Sequence, residues 1–75
     1  MKTEKENKVM IEIGNKIVDL LKIVYPTVCC DVEYHKLEEY YTFNFDKNVY
    51  HVNVYADSYT ATLNDIIHQF LFYIL

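Results

Sequence analysis

A chain of 75 residues, 52% of them hydrophobic and 16% aromatic, is too short for two cores and too apolar for a disordered segment, so residues 1–75 are read as one domain. The formal net charge is −4 and all seven basic residues are lysine. That balance argues against a nucleic-acid or anionic-membrane binder, because the positive field and the bidentate guanidinium fork are both missing.

The charge is unevenly spread. Residues 1–28 carry +1, residues 29–57 carry −4, and Asp65 supplies the last negative charge. The start, Met1 to Lys8, mixes both signs, and the apolar residues that follow are broken by Glu12, Asn15 and Lys16. Neither a signal peptide nor a spanning helix is expected, since no run approaches about 20 apolar residues. The expectation is a cytoplasmic protein with two free thiols.

Thr3-Glu4-Lys5-Glu6 has the spacing of a capping box and predicts a helix start. Met10, Ile13, Ile17, Leu20, Leu21 and Val24 recur at helical spacing, and Pro26 ends the helix by forcing Tyr25 to extend. Gly14 lies beside this stripe at a cost of about 1 kcal/mol relative to alanine. The expected reason is close approach of another element, the second helix being the first choice.

Thr27 to Asp57 alternates with period two and predicts three antiparallel strands. Cys30, Val32 and Tyr34, then Tyr41, Phe43 and Phe45, then Tyr50, Val52 and Val54 fall on the inward side. A four-residue loop, Lys36-Leu37-Glu38-Glu39, sets His35 against Tyr40. A two-residue loop at Lys47-Asn48 sets Phe45 against Tyr50, Phe43 against Val52 and Tyr41 against Val54. The outward side is then a grid of four rows: Cys29, Asp46, Val49; Asp31, Asn44, His51; Glu33, Thr42, Asn53; His35, Tyr40, Tyr55. It carries acids and tyrosines and no lysine, and is the main candidate for a working surface.

Asp57 or Ser58 is a candidate cap for a second helix, with Tyr59, Leu63, Ile66, Ile67, Phe70, Leu71 and Ile74 as its inward stripe. Ser58 to Leu63 also alternates, which leaves a fourth strand open. Phe72 falls nearly opposite the stripe and Leu75 to its side, apolar residues that one face does not hide. The predicted architecture is α+β: helix, three-stranded antiparallel meander, helix, with both helices on one face of the sheet.

Candidate chemistry is sparse. Cys29 and Cys30 are adjacent, hence on opposite faces, and do not have redox or zinc spacing. Asp31, Glu33, His35 and His51 share the outward side, but Asp31 and His51 sit two strands apart, about 10 Å, too far to converge on one ion. Asp31 and Glu33 have no desolvating pocket to separate their roles as acid and base. One glycine excludes a glycine-rich phosphate loop. Neither a metal, a cofactor nor an enzymatic activity is expected.

Helix-sheet-helix order resembles the double-stranded-RNA-binding domain in topology. That family places a lysine cluster at the start of its second helix and a basic, histidine-bearing loop between its first strands. Here those positions are Ser58-Tyr59-Thr60-Ala61-Thr62 and Lys36-Leu37-Glu38-Glu39, so RNA binding by that route is not expected. In size, element order, acidity, lysine-only basic residues and tyrosine content, the chain also resembles phage-encoded anti-CRISPR proteins. That resemblance implies an inhibitor that occupies a basic nucleic-acid site, with carboxylates placed like phosphates. The expected contact set is Asp31, Glu33, Glu38, Glu39, Tyr40, Asp46, Tyr55 and Asp57. The alternative is a homodimer built on Phe72 and Leu75.

Overall fold

The structure is a computed structural model and describes residues 3–54 and 58–74. Helix α1 (Glu4–Val24) starts where the capping box predicts: the Glu6 amide donates to Thr3 Oγ1 at 3.1 Å, and the Thr3 amide donates to Glu6 Oε1 at 3.0 Å. Tyr25, the residue before Pro26, closes its end. Its buried residues are Met10, Gly14, Ile17, Val18 and Leu21, whereas Leu20 and Val24 are exposed. The buried stripe therefore centres on Gly14 and Val18 rather than on the side holding Leu20 and Val24.

Three strands follow, β1 (Cys30–His35), β2 (Tyr40–Phe45) and β3 (Asn48–Asn53), joined as an antiparallel meander with β2 in the middle. The β1–β2 register is the expected one, from Cys30 opposite Phe45 to His35 opposite Tyr40. The β2–β3 register is not. Phe45 faces Asn48, Phe43 faces Tyr50 and Tyr41 faces Val52, a slide of two residues from the Lys47-Asn48 turn. The loop is Asp46-Lys47, with φ of 50° and 70°, a type I′ geometry that matches strand twist. A slide of two keeps every inward residue inward, so burial alone does not choose between the registers. Aromatic packing does: the Phe70 ring stacks on Phe43 at 4.4 Å and sits 5.0 Å from Tyr50, and the observed register sets those two strand residues side by side.

The second helix begins at Ser58, whose Oγ accepts from the Ala61 amide at 3.1 Å. It runs as α2 (Tyr59–Ile66), a π-helical turn (Ile67–Leu71) and α3 (Phe72–Ile74). Ser58 to Leu63 is thus a capped helix start and not a fourth strand. Thr62, Ile66, Phe70 and Leu71 are buried; Tyr59, Leu63 and Ile67, expected inward, are exposed. The seven-residue inward stripe is split: Ile66, Phe70 and Leu71 stay inward as expected, and Thr62 takes the core-facing place expected of Leu63.

The α+β architecture, in the order helix, β1, β2, β3, helix, is as the sequence predicts. Met10, Ile17, Val18 and Leu21 of α1 share one core with Tyr41, Phe43, Phe45, Val52, Ile66, Phe70 and Leu71. Gly14 meets the sheet, not the second helix: a Cβ there would lie 3.0 Å from Tyr41 Cε1 and 3.3 Å from Val32 Cγ2. The Tyr41 hydroxyl donates to the Met10 carbonyl oxygen at 2.6 Å, clamping the same contact. Burial, with the Tyr34 phenol nearby, pushes the Tyr41 phenol well above its ordinary range.

Candidate protein-binding face

The residues that alternate with the core positions of the strands are Asp31, Glu33 and His35 on β1, Tyr40, Thr42 and Asn44 on β2, and Val49, His51 and Asn53 on β3. All are exposed or half-buried. The two-residue slide redraws their rows as Asp31, Asn44, Val49; Glu33, Thr42, His51; and His35, Tyr40, Asn53. His51 therefore leaves the row of Asp31 and comes within diagonal reach of Tyr40.

Three rings form a ladder across the sheet. His35 stacks on Tyr40 with centroids 4.2 Å apart, and His51 stacks on the other side of Tyr40 at 4.1 Å, both at 14° between planes. The ladder is held at its edges. His35 Nε2 lies 2.9 Å from Thr42 Oγ1 and 3.2 Å from Glu33 Oε1, within hydrogen-bond reach of both oxygens. His51 Nε2 lies 3.0 Å from Asn53 Oδ1. The Asn53 backbone is in turn held by the Gln69 side chain, whose Oε1 accepts from the Asn53 amide at 2.8 Å and whose Nε2 donates to its carbonyl oxygen at 2.9 Å. Gln69 thus acts as a one-residue partner for the open edge of β3. Neither the ring ladder nor this edge clamp was expected from sequence; the period-two pattern marks His35, Tyr40 and His51 as outward but does not set which rings touch.

The candidate contact residues that the structure describes fall along this face and at its two ends. Asp31 is exposed and accepts from the Asn44 amide group at 2.6 Å, while Glu33 is exposed beside His35. Glu38 and Glu39 lie in the β1–β2 loop, where Glu39 adopts φ of 57° and its amide donates to the His35 carbonyl oxygen at 2.8 Å. Asp46 lies at the far end in the β2–β3 turn, its amide bonded to the Cys29 carbonyl oxygen at 3.1 Å. Tyr40 is the centre of the ladder. Asp31, Glu33 and Tyr40 are brought onto one surface, and Glu38, Glu39 and Asp46 are turn residues, separated by the length of a six-residue strand. Tyr55, Asp57 and Leu75 lie outside the described residues. Phe72 is exposed on the second helix and makes an edge-on contact with Tyr73 at 5.8 Å.

Among the described residues, no three His, Cys, Asp or Glu side chains converge to hold a metal ion. Cys29 is exposed and Cys30 buried, both free; burial, then the Asp31 charge, pushes the Cys30 thiol up. A groove of about 810 Å³ at the start of α1 is lined by Glu4, Lys5, Asn7, Lys8, Ile11, Lys36 and Leu37. It gathers three of the seven lysines, Lys5, Lys8 and Lys36. No helix among the described residues is long and apolar enough to cross a membrane.

No family model, curated protein or solved structure matches this chain.

Proposed function

We propose that the outward face of the sheet is a non-enzymatic docking surface for a basic protein, and that the protein acts as an acidic inhibitor of a nucleic-acid-handling effector in the cytoplasm. The observation that carries this reading is the His35–Tyr40–His51 ladder, a pre-ordered aromatic plate that shares its surface with Asp31 and Glu33. Aromatic rings held by packing supply contact area at low entropic cost, and carboxylates beside them favour a lysine- or arginine-rich partner. The nine outward strand positions hold two acids and no lysine, so a cationic partner meets no like charge there. A CRISPR effector is the narrower choice of partner, resting on the likeness to phage-encoded inhibitors; the basic nucleic-acid site of such an effector has the required chemistry. Glu38, Glu39 and Asp46 extend the acidic rim into the turns. Two free thiols fit a reducing compartment.

The test is calorimetric titration with an arginine-rich peptide, comparing two variants of equal charge. Asp31→Lys with Glu33→Lys alters the face; Glu12→Lys with Asp19→Lys makes the same charge change on exposed positions of α1. The face variant is expected to bind about tenfold more weakly or worse, and the α1 variant to bind close to wild type. Equal losses in the two variants would assign binding to net charge and remove the face. For the narrower reading, a guide-loaded CRISPR nuclease is assayed for DNA binding with the protein added; displaced DNA supports it.

A further inference from the structure

Regular α-helix brings residues three and four apart onto one face. Tyr59, Leu63 and Ile67 are spaced by four and all are exposed, at 53%, 40% and 44%. In an uninterrupted α-helix the next members of that row would be residues 70 and 71, yet Phe70 and Leu71 are buried in the core. The π-helical turn Ile67–Leu71 explains the change. It inserts one residue into the repeat, keeps Phe70 stacked on Phe43, and moves Phe72 to the place that residue 71 would hold. Phe72, 74% exposed, joins the exposed row, and Tyr73, 70% exposed, packs against its ring. The result is a continuous apolar ridge, Tyr59, Leu63, Ile67, Phe72 and Tyr73, that no described element covers.

We propose that this ridge is the interface of a twofold homodimer, in which two copies of the second helix pack against each other. Three observations select a second copy as the occupant. The first is area. At about 150–250 Å² for a large aromatic side chain and somewhat less for Leu and Ile, the exposed fractions amount to roughly 400–600 Å² per protomer. A twofold pair that covers the whole ridge buries up to about 1,200 Å², which reaches the lower bound for a stable specific interface. The second is charge. From Ser58 to Ile74 the only ionisable acid or base side chains apart from tyrosine are Asp65 and His68. An element this sparsely charged, in an otherwise acidic chain, approaches its own copy with little repulsion. The third is shape. A single row of side chains along one helix is self-complementary under a twofold axis, because each residue meets its partner's counterpart reversed along the row. The dimer is independent of the sheet-face proposal: the ridge residues lie on the second helix, whereas the ring ladder lies on the strands.

Sedimentation equilibrium over a concentration series tests it. Wild type is expected at twice the 9.0 kDa chain mass, with association strengthened by added salt, because salt screens the −4 charge of each copy. Phe72→Glu is expected to weaken dimerisation roughly thirtyfold or more, with an unchanged circular dichroism spectrum. Leu63→Lys is the second probe, and Val49→Glu, on the sheet, is the control expected to leave the dimer intact. A wild type that stays monomeric throughout overturns the proposal, as does a dimer that survives both ridge variants or is lost with Val49→Glu.

Discussion

Gly14→Ala separates two opposing terms whose balance the structure predicts. In a helix interior, alanine is favoured over glycine by about 1 kcal/mol, so the substitution would stabilise an open site by that amount. Here the new Cβ would lie 3.0 Å from Tyr41 Cε1 and 3.3 Å from Val32 Cγ2. Neither neighbour moves easily. Tyr41 is fully buried, its hydroxyl bonded to the Met10 carbonyl oxygen at 2.6 Å, and Val32 is β-branched and set in β1. Forcing a methyl into such a contact costs about 1–3 kcal/mol, which outweighs the propensity gain. The expected net effect is a loss of about 1 kcal/mol, seen as a fall of roughly 4–8 °C in the melting temperature of a domain this size. Thermal and urea unfolding followed by far-ultraviolet circular dichroism measure it. In a Tyr41→Phe background the ring is released from its hydroxyl bond and can shift, so the cost of Gly14→Ala should shrink; a double-mutant cycle reads that coupling. A melting temperature that rises in Gly14→Ala would refute the packing argument.

Three further outcomes follow from the hydrogen bonds of Tyr41 and Gln69. The Tyr41 phenol is protonated in the fold beyond its ordinary range, so its contribution is fully present below the unfolded value of about 10 and is lost as pH rises through that value towards the folded one. Alkaline unfolding should therefore begin above about pH 10 and be shallower in Tyr41→Phe; superimposable pH-stability curves would contradict the assignment. Tyr41→Phe should also cost about 1 kcal/mol at neutral pH by losing the bond to Met10. Gln69→Ala removes both bonds to the Asn53 backbone and should cost about 1–3 kcal/mol, with faster exchange of the Asn53 amide; an Asn53 amide still protected in the variant would show that the clamp is not what closes the β3 edge.

The sequence was most legible where a single physical term decides. The Thr3 capping box and the Pro26 stop frame α1 correctly because each rests on local backbone chemistry. The β1–β2 register followed from loop length and burial together. The β2–β3 register did not, because registers two residues apart hide the same side chains and differ only in the turn and in which rings meet. The natural choice by local preference was an asparagine in the turn; the structure instead puts Asp46 and Lys47 at positive φ and gains the Phe43, Tyr50 and Phe70 cluster. That slide carried His51 from the row of Asp31 to the side of Tyr40, so the ring ladder at the centre of the candidate face was hidden by the same ambiguity. Gly14 signalled a close approach correctly, but a lone glycine does not name what approaches it. The exposed ridge on the second helix was legible only in part. Phe72 was read as turned away from the core, but seven apolar residues at helical spacing suggested one broad inward stripe. In α2 it is Thr62 and Ile66 that face the core, which leaves Tyr59 and Leu63 out. The π-helical turn at Ile67–Leu71 then keeps Phe70 and Leu71 in while Ile67 and Phe72 face out.

The docking of a basic protein on the outward sheet face, through its ring ladder and its acids, is proposed and is open to a direct measurement. The most direct measurement is an amide and aromatic proton-correlation titration of the isotope-labelled protein with the arginine-rich peptide. The largest shift changes are expected on Asp31, Glu33, His35, Tyr40 and His51, with α1 and the second helix little moved. Changes centred on α1 or the second helix, with the three rings unshifted at saturation, would contradict it.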